Sequence, residues 1–469
     1  MQLTIWGIIF IPLSIFLSLF KPRLLVGILI LSLSLQMTTI VNFPALNYGF
    51  QLYKFLTILF SFYLVIKVIY NGGKLRIRNP YLKQIFIILF AFLSYIMLIS
   101  ILGPIIFDGF PVFPPLLGLD YSAVLGPSPL EFSSLNVVLP LYMLFYSMTF
   151  LYLISYNIQD KDIRTILLSW KITVFLTIFS LFIQFIFFFI IGDDILKYVV
   201  NTAPQGEYGF SKFEHLGSVF PRIRGTFQEP SMASTFLTGI FVCELARLEK
   251  RFRFTLSLSL ILIFALLFLT TSTTAYISIA FAVAIFLILN FPIRFKEISL
   301  FIRKRKVKIF GTVLLLFIFA FLILGLLIGF DLIFFVISAF VLEKPESLSY
   351  YSRTKSNIHS LQLFLDTFFI GVGMGSHRSS SLIFNLLAIS GILGITLFFM
   401  FIFAFLKYSY NTLKSTDYSH YFYLLPSLLI PMIISVPDLT LPTFWQFIYI
   451  TTLVLKIVEY KKRKDNGNL

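Results

Sequence analysis

Two short segments of this 469-residue chain gather the residue types that bind anions. The first reads Pro221-Arg-Ile-Arg-Gly-Thr-Phe-Gln-Glu-Pro-Ser231 and carries Arg222, Arg224, Gly225 and Glu229. The second reads Gly371-Val-Gly-Met-Gly-Ser-His-Arg-Ser-Ser-Ser381 and carries Gly371, Gly373, Gly375, His377 and Arg378. Each runs straight into a long apolar stretch. Arginine keeps its charge at every working pH and binds phosphate oxygens with two parallel donors. A helix N-terminus adds partial positive charge and free N–H groups, and glycine-rich turns add anion-binding nests. Pro230 suits a first helical turn, and Ser379, Ser380 and Ser381 are potential caps. Arg222, Arg224, Arg353 and Arg378 are thus the candidate phosphate ligands, with Gly225, Gly371, Gly373 and Gly375 as nest positions. His377 is a candidate general base near neutral pH. Glu229 is its rival, or else a partner that orients Arg222 or Arg224.

Other chemistry is poorly provided for. Gly371–Gly375 follows no strand of a βαβ unit, so it is no dinucleotide fingerprint, and the chain has no P-loop. The single cysteine, Cys243, excludes an intrachain disulfide and a Cys/His zinc set. Asp193-Asp194 is a candidate divalent-metal pair, although a lone acidic pair at a helix end is ordinarily solvated. No cofactor and no metal are expected. Of the remaining histidines, His215 and His359 fall in the same set of loops as His377, and His420 falls in the other set.

The elements that position these residues are membrane helices. Hydrophobic residues make up 58% of the chain and charged ones 12%, about half the charged share of a soluble domain. The apolar runs are about twenty residues long rather than alternating ten-residue segments, so helices and not a barrel are expected. The spacing predicts about thirteen spans in one all-α membrane domain. They lie near 3–20, 24–42, 51–70, 84–103, 135–154, 165–191, 231–246, 256–271, 275–292, 309–329, 382–406, 421–436 and 442–458. Lys21 and Arg23 follow the first apolar run rather than precede it, which marks an uncleaved span and not a signal peptide.

The net charge of +16 reflects the positive-inside rule rather than nucleic-acid binding. One set of alternate loops holds 25 of the 37 Lys and Arg residues and the other holds 8, with Lys54, Lys67, Lys171 and Lys456 inside spans. This puts the first set in the cytoplasm, the N-terminus outside and the C-terminus inside. Three outer loops are long: 104–134, 192–230 and 330–381. The outer basic residues are Lys197, Lys212, Arg222 and Arg224 in the second loop, and Lys344, Arg353, Lys355 and Arg378 in the third. The plainer reading of any one such arginine is a solvated residue, or one paired with Glu229, Glu343 or Glu346. Within the third loop, Ile358, Leu361, Leu365 and Phe368 recur at helical spacing, as in a helix lying along the membrane interface.

At its two arginine segments the sequence resembles the O-antigen polymerase and ligase superfamily of bacterial envelope glycosyltransferases. Arg222-Ile-Arg-Gly-Thr-Phe-Gln-Glu-Pro-Ser-Met-Ala233 is similar to that family's segment before a mid-chain span. Gly371–Ser381, followed by Gly391-Ile-Leu-Gly394, is similar to its late signature, and the turn Thr271-Ser272-Thr273-Thr274 also fits. The resemblance implies a multi-pass protein of the bacterial plasma membrane that joins glycan repeat units carried on undecaprenyl diphosphate. It implies diphosphate binding by Arg222, Arg224, Arg353 and Arg378, no nucleotide, and chain-length regulator and flippase proteins as partners. The ligase branch shows a His-Asn pair after its glycines. Here Arg378 follows His377, which favours the Wzy-like polymerase branch that builds O-antigen, capsule or exopolysaccharide. A ligase acting on another acceptor, a lipid-linked glycan flippase or transporter, and a non-catalytic chain-length scaffold are the alternatives.

Overall fold

The computed structural model describes residues 1–70, 72–73, 77–115, 126–204, 212–215, 218–250, 254–290 and 348–466, with Leu322, Gly325, Asp331 and Ser338 as isolated positions between the last two blocks. The expected span 309–329, most of the loop before 348, Lys344 and the two loop glutamates Glu343 and Glu346 lie outside the described residues. So do the side chains of Lys212 and His215.

The chain is a membrane-type helical bundle. Its helices are α1 (Ile5–Phe20), α2 (Pro22–Ser32), α3 (Leu52–Tyr70), α4 (Pro80–Ile106), α5 (Leu135–Ser155), α6 (Asp160–Ile191), α7 (Pro230–Lys250), α8 (Phe254–Leu269), α9 (Thr273–Asn290), α10 (Leu348–Asp366), α11 (Leu382–Leu413), α12 (Leu424–Ile434) and α13 (Pro442–Asp465). Among the described residues six helices are long and apolar enough to cross a membrane, and five shorter ones are also apolar. Pro22, Pro80, Pro230 and Pro442 each open a helix, where a missing N–H costs nothing. The core surrounds α7 and α13, whose faces are almost wholly buried. Small residues allow this: a Cβ on Gly239 of α7 would strike the ring of Phe447 of α13, and such close approach holds membrane helices together.

One expected span is not a full helix. α2 stops at Ser32, and the chain turns and becomes strand β2 (Thr39–Phe43) rather than continuing to 42. The physical reason is a polar run, Ser32 to Thr39. Ser34 Oγ accepts from Gln446 Nε2 at 2.8 Å, Gln36 Nε2 donates to Thr443 Oγ1 at 3.3 Å, and Thr226 Oγ1 donates to the Ser34 carbonyl at 2.7 Å. Non-helical backbone of this kind is stable only where protein encloses it, and Gln36 is fully buried. β2 lies antiparallel between β1 (Gln2–Leu3) and β3 (Tyr48–Gln51). Two further antiparallel pairs join β4 (Pro111–Val112) to β5 (Ser128–Pro129) and β6 (Lys212–His215) to β7 (Ser218–Pro221). The all-α expectation therefore omitted small strands in the connections.

The loops segregate to two ends. At the basic end Arg23 pairs with Asp162 at 2.8 Å, Lys464 with Asp160 at 2.7 Å, Lys250 Nζ donates to the Thr416 carbonyl at 2.7 Å, and Asn79 Nδ2 donates to Glu459 at 2.6 Å. At the opposite end Arg222 meets Thr271, Arg378 meets Asp438, and the Met37 N–H donates to the Thr226 carbonyl.

α10 lies beside the second end. It begins at Leu348 and ends at Asp366, so that Phe368, the last residue of the expected helical spacing, lies beyond it. Phe368 and Phe369 instead take positive φ. Its polar side is buried through Ser352, Ser356 and Ser360, while Ile358, Leu361 and Leu365 are exposed along with Phe368. This inside-out amphipathicity suits a helix lying against lipid.

Candidate functional site

Loop 222–229 is built on a buried polar hub. Gln184, deep in the apolar α6, accepts the backbone N–H groups of Arg224 and Gly225 on its Oε1, both at 2.8 Å. Its Nε2 donates to Asp194 Oδ2 at 2.8 Å. Gly225 has φ +59 and a Cβ there would approach Ser180 and Leu181 within about 3 Å. Asn201 Nδ2 donates to its carbonyl at 2.9 Å. The loop ends at Glu229, whose carbonyl accepts the N–H groups of Met232 and Ala233, so Glu229 is the N-cap position just before Pro230 opens α7. Ser231 Oγ donates to its carboxylate at 3.0 Å.

The two arginines of this loop differ. Arg224 is 1% exposed, donating to the Gln228 carbonyl at 3.1 Å. Burial pushes its pKa down, and the carboxylates of Asp194 and Glu229 oppose that fall. Burial likewise raises the Asp194 carboxyl, against the hydrogen bonds of Gln184 and of the Leu196 N–H and the charge of Arg224. Arg224 is therefore an internal charge that shapes the loop, not a surface ligand. Arg222 is half-buried, and its Nε donates to Thr271 Oγ1 at 3.1 Å. The acidic pair beside this hub divides. Asp193 takes Lys197 at 2.7 Å and the Tyr198 hydroxyl at 3.0 Å, whereas Asp194 faces inward. They do not converge on a common point as two metal ligands would.

Segment 371–381 is a wedge rather than a nest. Gly371, Gly373 and Gly375 have φ near +90, and a Cβ on each would lie under 3 Å from backbone of α11, α4 and the start of α5 respectively. Gly373 would meet the Ile99 carbonyl at 2.6 Å. The N–H groups are committed inward: Gly371 to Thr367 Oγ1, Val372 to the Ala388 carbonyl, Gly373 to the Ile389 carbonyl and Met374 to Ser100 Oγ. The two α11 carbonyls are available because that helix breaks at Gly391, with φ 60 and ψ −162. The expected anion nest is thus corrected at Gly371 and Gly373: donors bound to protein carbonyls and hydroxyls are not offered to a ligand. Nor do the serines cap α11 by side chain. Ser379 Oγ donates to Asn357 Oδ1 at 2.6 Å and Ser380 Oγ bonds Ser356 Oγ at 3.1 Å, tying the segment to α10.

His377 is buried in this wedge. The Phe113 N–H donates to its Nδ1 at 3.1 Å, which leaves the ring proton on Nε2, directed at Ser360 Oγ 2.8 Å away. Ser360 in turn donates to the Ser356 carbonyl at 2.7 Å. Burial, with a smaller contribution from His359, pushes the His377 pKa down to about 3. The imidazole is neutral, and both nitrogens are occupied. The base role expected for His377 is corrected to one of fastening loop 107–113 to the wedge. Arg378 reaches outward, its Nη2 3.1 Å from Asp438 Oδ2, while its backbone N–H holds the Phe113 carbonyl. Arg353, half-buried on α10, is one turn from Asn357 and Ser356, which hold the wedge serines.

The arginine loops are linked through a third element. Thr271, which binds Arg222, opens the turn into α9, and Thr274 in that turn bonds Ser435. Three residues on, Asp438 holds Arg378. Gln184, Asp438 and Asn136 were missed by motif reasoning, and Asp194 was read only as half of a metal pair. Asn136 Nδ2 donates to the Met374 carbonyl at 3.0 Å and Ser376 Oγ at 2.7 Å. A lone amide amid Phe and Ile, as at Gln184, was the available signal.

Fold and site define a membrane-type helical bundle with a polar, arginine-bearing end. No family model, no curated protein and no solved structure matches the chain.

Proposed function

We propose that the protein is a glycosyltransferase of the bacterial plasma membrane that polymerises oligosaccharide repeat units carried on undecaprenyl diphosphate. The chain would cross the bilayer about thirteen times with its N-terminus outside, so that the arginine loops face outward. The observation that carries this reading is that Arg222 and Arg378 are held by two segments, 271–274 and 435–438, that bond each other, with the Glu229 carboxylate at the N-terminus of α7. A membrane-tethered diphosphate diester is a dianion held at the bilayer surface that gains a further negative charge as it leaves, and half-buried guanidinium groups suit it. The acceptor hydroxyl oxygen attacks the anomeric carbon of the donor and transfers its proton to Glu229. The carbon–oxygen bond to the diphosphate breaks, and the electron pair leaves with it, stabilised by Arg222, Arg378 and Arg353. Arg224 and His377 hold the two loops in place. The step needs no nucleotide.

A transporter is the rival that one observation addresses. A broken helix is a common transport site because it exposes carbonyls at membrane depth. In α11 the carbonyls of Ala388 and Ile389 are taken by Val372 and Gly373, which argues for a fixed frame. The test is purified protein with lipid-diphosphate-linked repeat units and no nucleotide sugar. A ladder of longer lipid-linked glycans is the expected result. Single transfer to another acceptor means a ligase, and movement across the bilayer with no new bond overturns the enzymatic reading.

A further inference from the structure

The opposite end holds a cavity of about 630 Å³ where the α1–α2 corner meets α3, the end of α5 and the start of α6. That volume is of the size that receives small ligands. Its walls carry three cations, Lys21, Arg23 and Lys67. The carboxylate facing them is Asp162, buried and already engaged by Arg23 at 2.8 Å, by the Gln159 N–H at 2.7 Å and by the Tyr156 hydroxyl at 3.1 Å. The neighbouring Asp160 points to Lys464. Lys67 sits in the last turn of α3, with its ammonium 5.0 Å from the Tyr152 ring centre and no carboxylate in ion-pair reach among the described residues. The walls thus hold two more positive charges than negative ones. Two further lining residues, Phe20 and Leu24, are 67% and 44% exposed, so the cationic cavity opens beside apolar surface.

We propose that this cavity binds the phosphate of an anionic membrane phospholipid, with Lys67 and Lys21 on the phosphate oxygens and the acyl chains against Phe20 and Leu24. Arg23 is held by Asp162 and Gln159 and lends charge from behind. Tyr63 and Asn157 supply polar contacts to the headgroup. The site stands apart from the arginine loops and does not depend on the reaction proposed for them. Juxtamembrane cations attract anionic lipid; a cavity adds a fixed position and hence a stoichiometry.

The experiment is native mass spectrometry of the full chain in detergent, titrated with phosphatidylglycerol, phosphatidylcholine or inorganic phosphate. One retained phosphatidylglycerol, bound about tenfold tighter than phosphatidylcholine, is expected, on the order of one well-formed charge contact. Lys67→Gln should remove most of that preference and Lys67→Arg should keep it. Lys21→Gln, at an exposed position, should weaken it about threefold. Equal retention of the two lipids, or an unchanged preference in both Gln variants, overturns the site. Competition by millimolar inorganic phosphate as effective as by phosphatidylglycerol overturns the lipid as its source while upholding the phosphate contact.

Discussion

The two arginine segments look alike in sequence, each a glycine-bearing run with arginine placed just before an apolar helix. In space they are opposites. Segment 222–229 hangs on side chains: Gln184, Asp194 and Asn201 hold its backbone, and a buried guanidinium fills it. Segment 371–378 hangs on backbone: its glycines press against α4, α5 and the break in α11, and its amides fill that break. One segment places charge, and the other places main chain. The same residue types thus carry different work according to whether a side chain or a peptide group occupies the space in front of them.

The largest effect that would separate the segments is at Arg224. Arg224→Gln leaves Asp194 and Glu229 without their internal counter-charge, and losing one partner of a buried ion cluster costs about 3–5 kcal/mol. Denaturation in detergent and polymer assay should fall together. Arg222→Gln should lower turnover by about 10²–10³ with thermal stability nearly unchanged. Equal destabilisation by the two variants would erase the distinction between a shaping and a contacting arginine.

Next in size is the wedge. Gly373→Ala forces a Cβ to 2.6 Å from the Ile99 carbonyl at φ +91, which should cost about 3 kcal/mol or more. Gly192 provides the control: φ is +76, but a Cβ there meets nothing within 4 Å, so Gly192→Ala should cost only about 1 kcal/mol. Similar melting temperatures for the two alanine variants would show that the wedge yields.

Much of the helical frame was legible because helix signals are local. The apolar run 135–154 is α5 almost to the residue, and Pro230 marks the start of α7. The site was legible as residue types and not as roles. Nothing near Gly373 announces that its partner carbonyl is Ile389, or that the facing backbone is Ile99. Asn136 and Ser376 are 240 positions apart. α2 ended early for a similar reason: Ser34 and Gln36 are stable where they lie only because Gln446 and Thr443 arrive from the far end of the chain. His377 read as a base because imidazole titrates near neutrality, and burial reverses that.

That reversal has a pH signature. The folded His377 pKa lies near 3, below the value of about 6.5 for an unfolded chain. Between those values the unfolded state binds the extra proton, so stability is full above about pH 6.5 and falls as pH drops towards 3, by up to about 1.4 kcal/mol per unit. His377→Gln, which keeps polar atoms in the wedge, should lose part of that acid sensitivity. A turnover profile that inflects near pH 6.5 and loses the inflection in this variant would restore His377 as the base.

The smallest expected effect is the most discriminating for the outward arginine. Arg378 and Asp438 are partly exposed, at 26% and 32%, so their pair should contribute under about 1 kcal/mol to stability. Its bearing on binding is larger, since the Asp438 carboxylate occupies the guanidinium edge that a phosphate would use. Asp438→Asn should therefore lower the apparent KM for the lipid-diphosphate donor severalfold at unchanged turnover, while Arg378→Gln raises it. If Asp438→Asn raises KM as Arg378→Gln does, the carboxylate aims the guanidinium rather than competing for it. The wedge segment would then depend on a side-chain support, as segment 222–229 depends on Gln184.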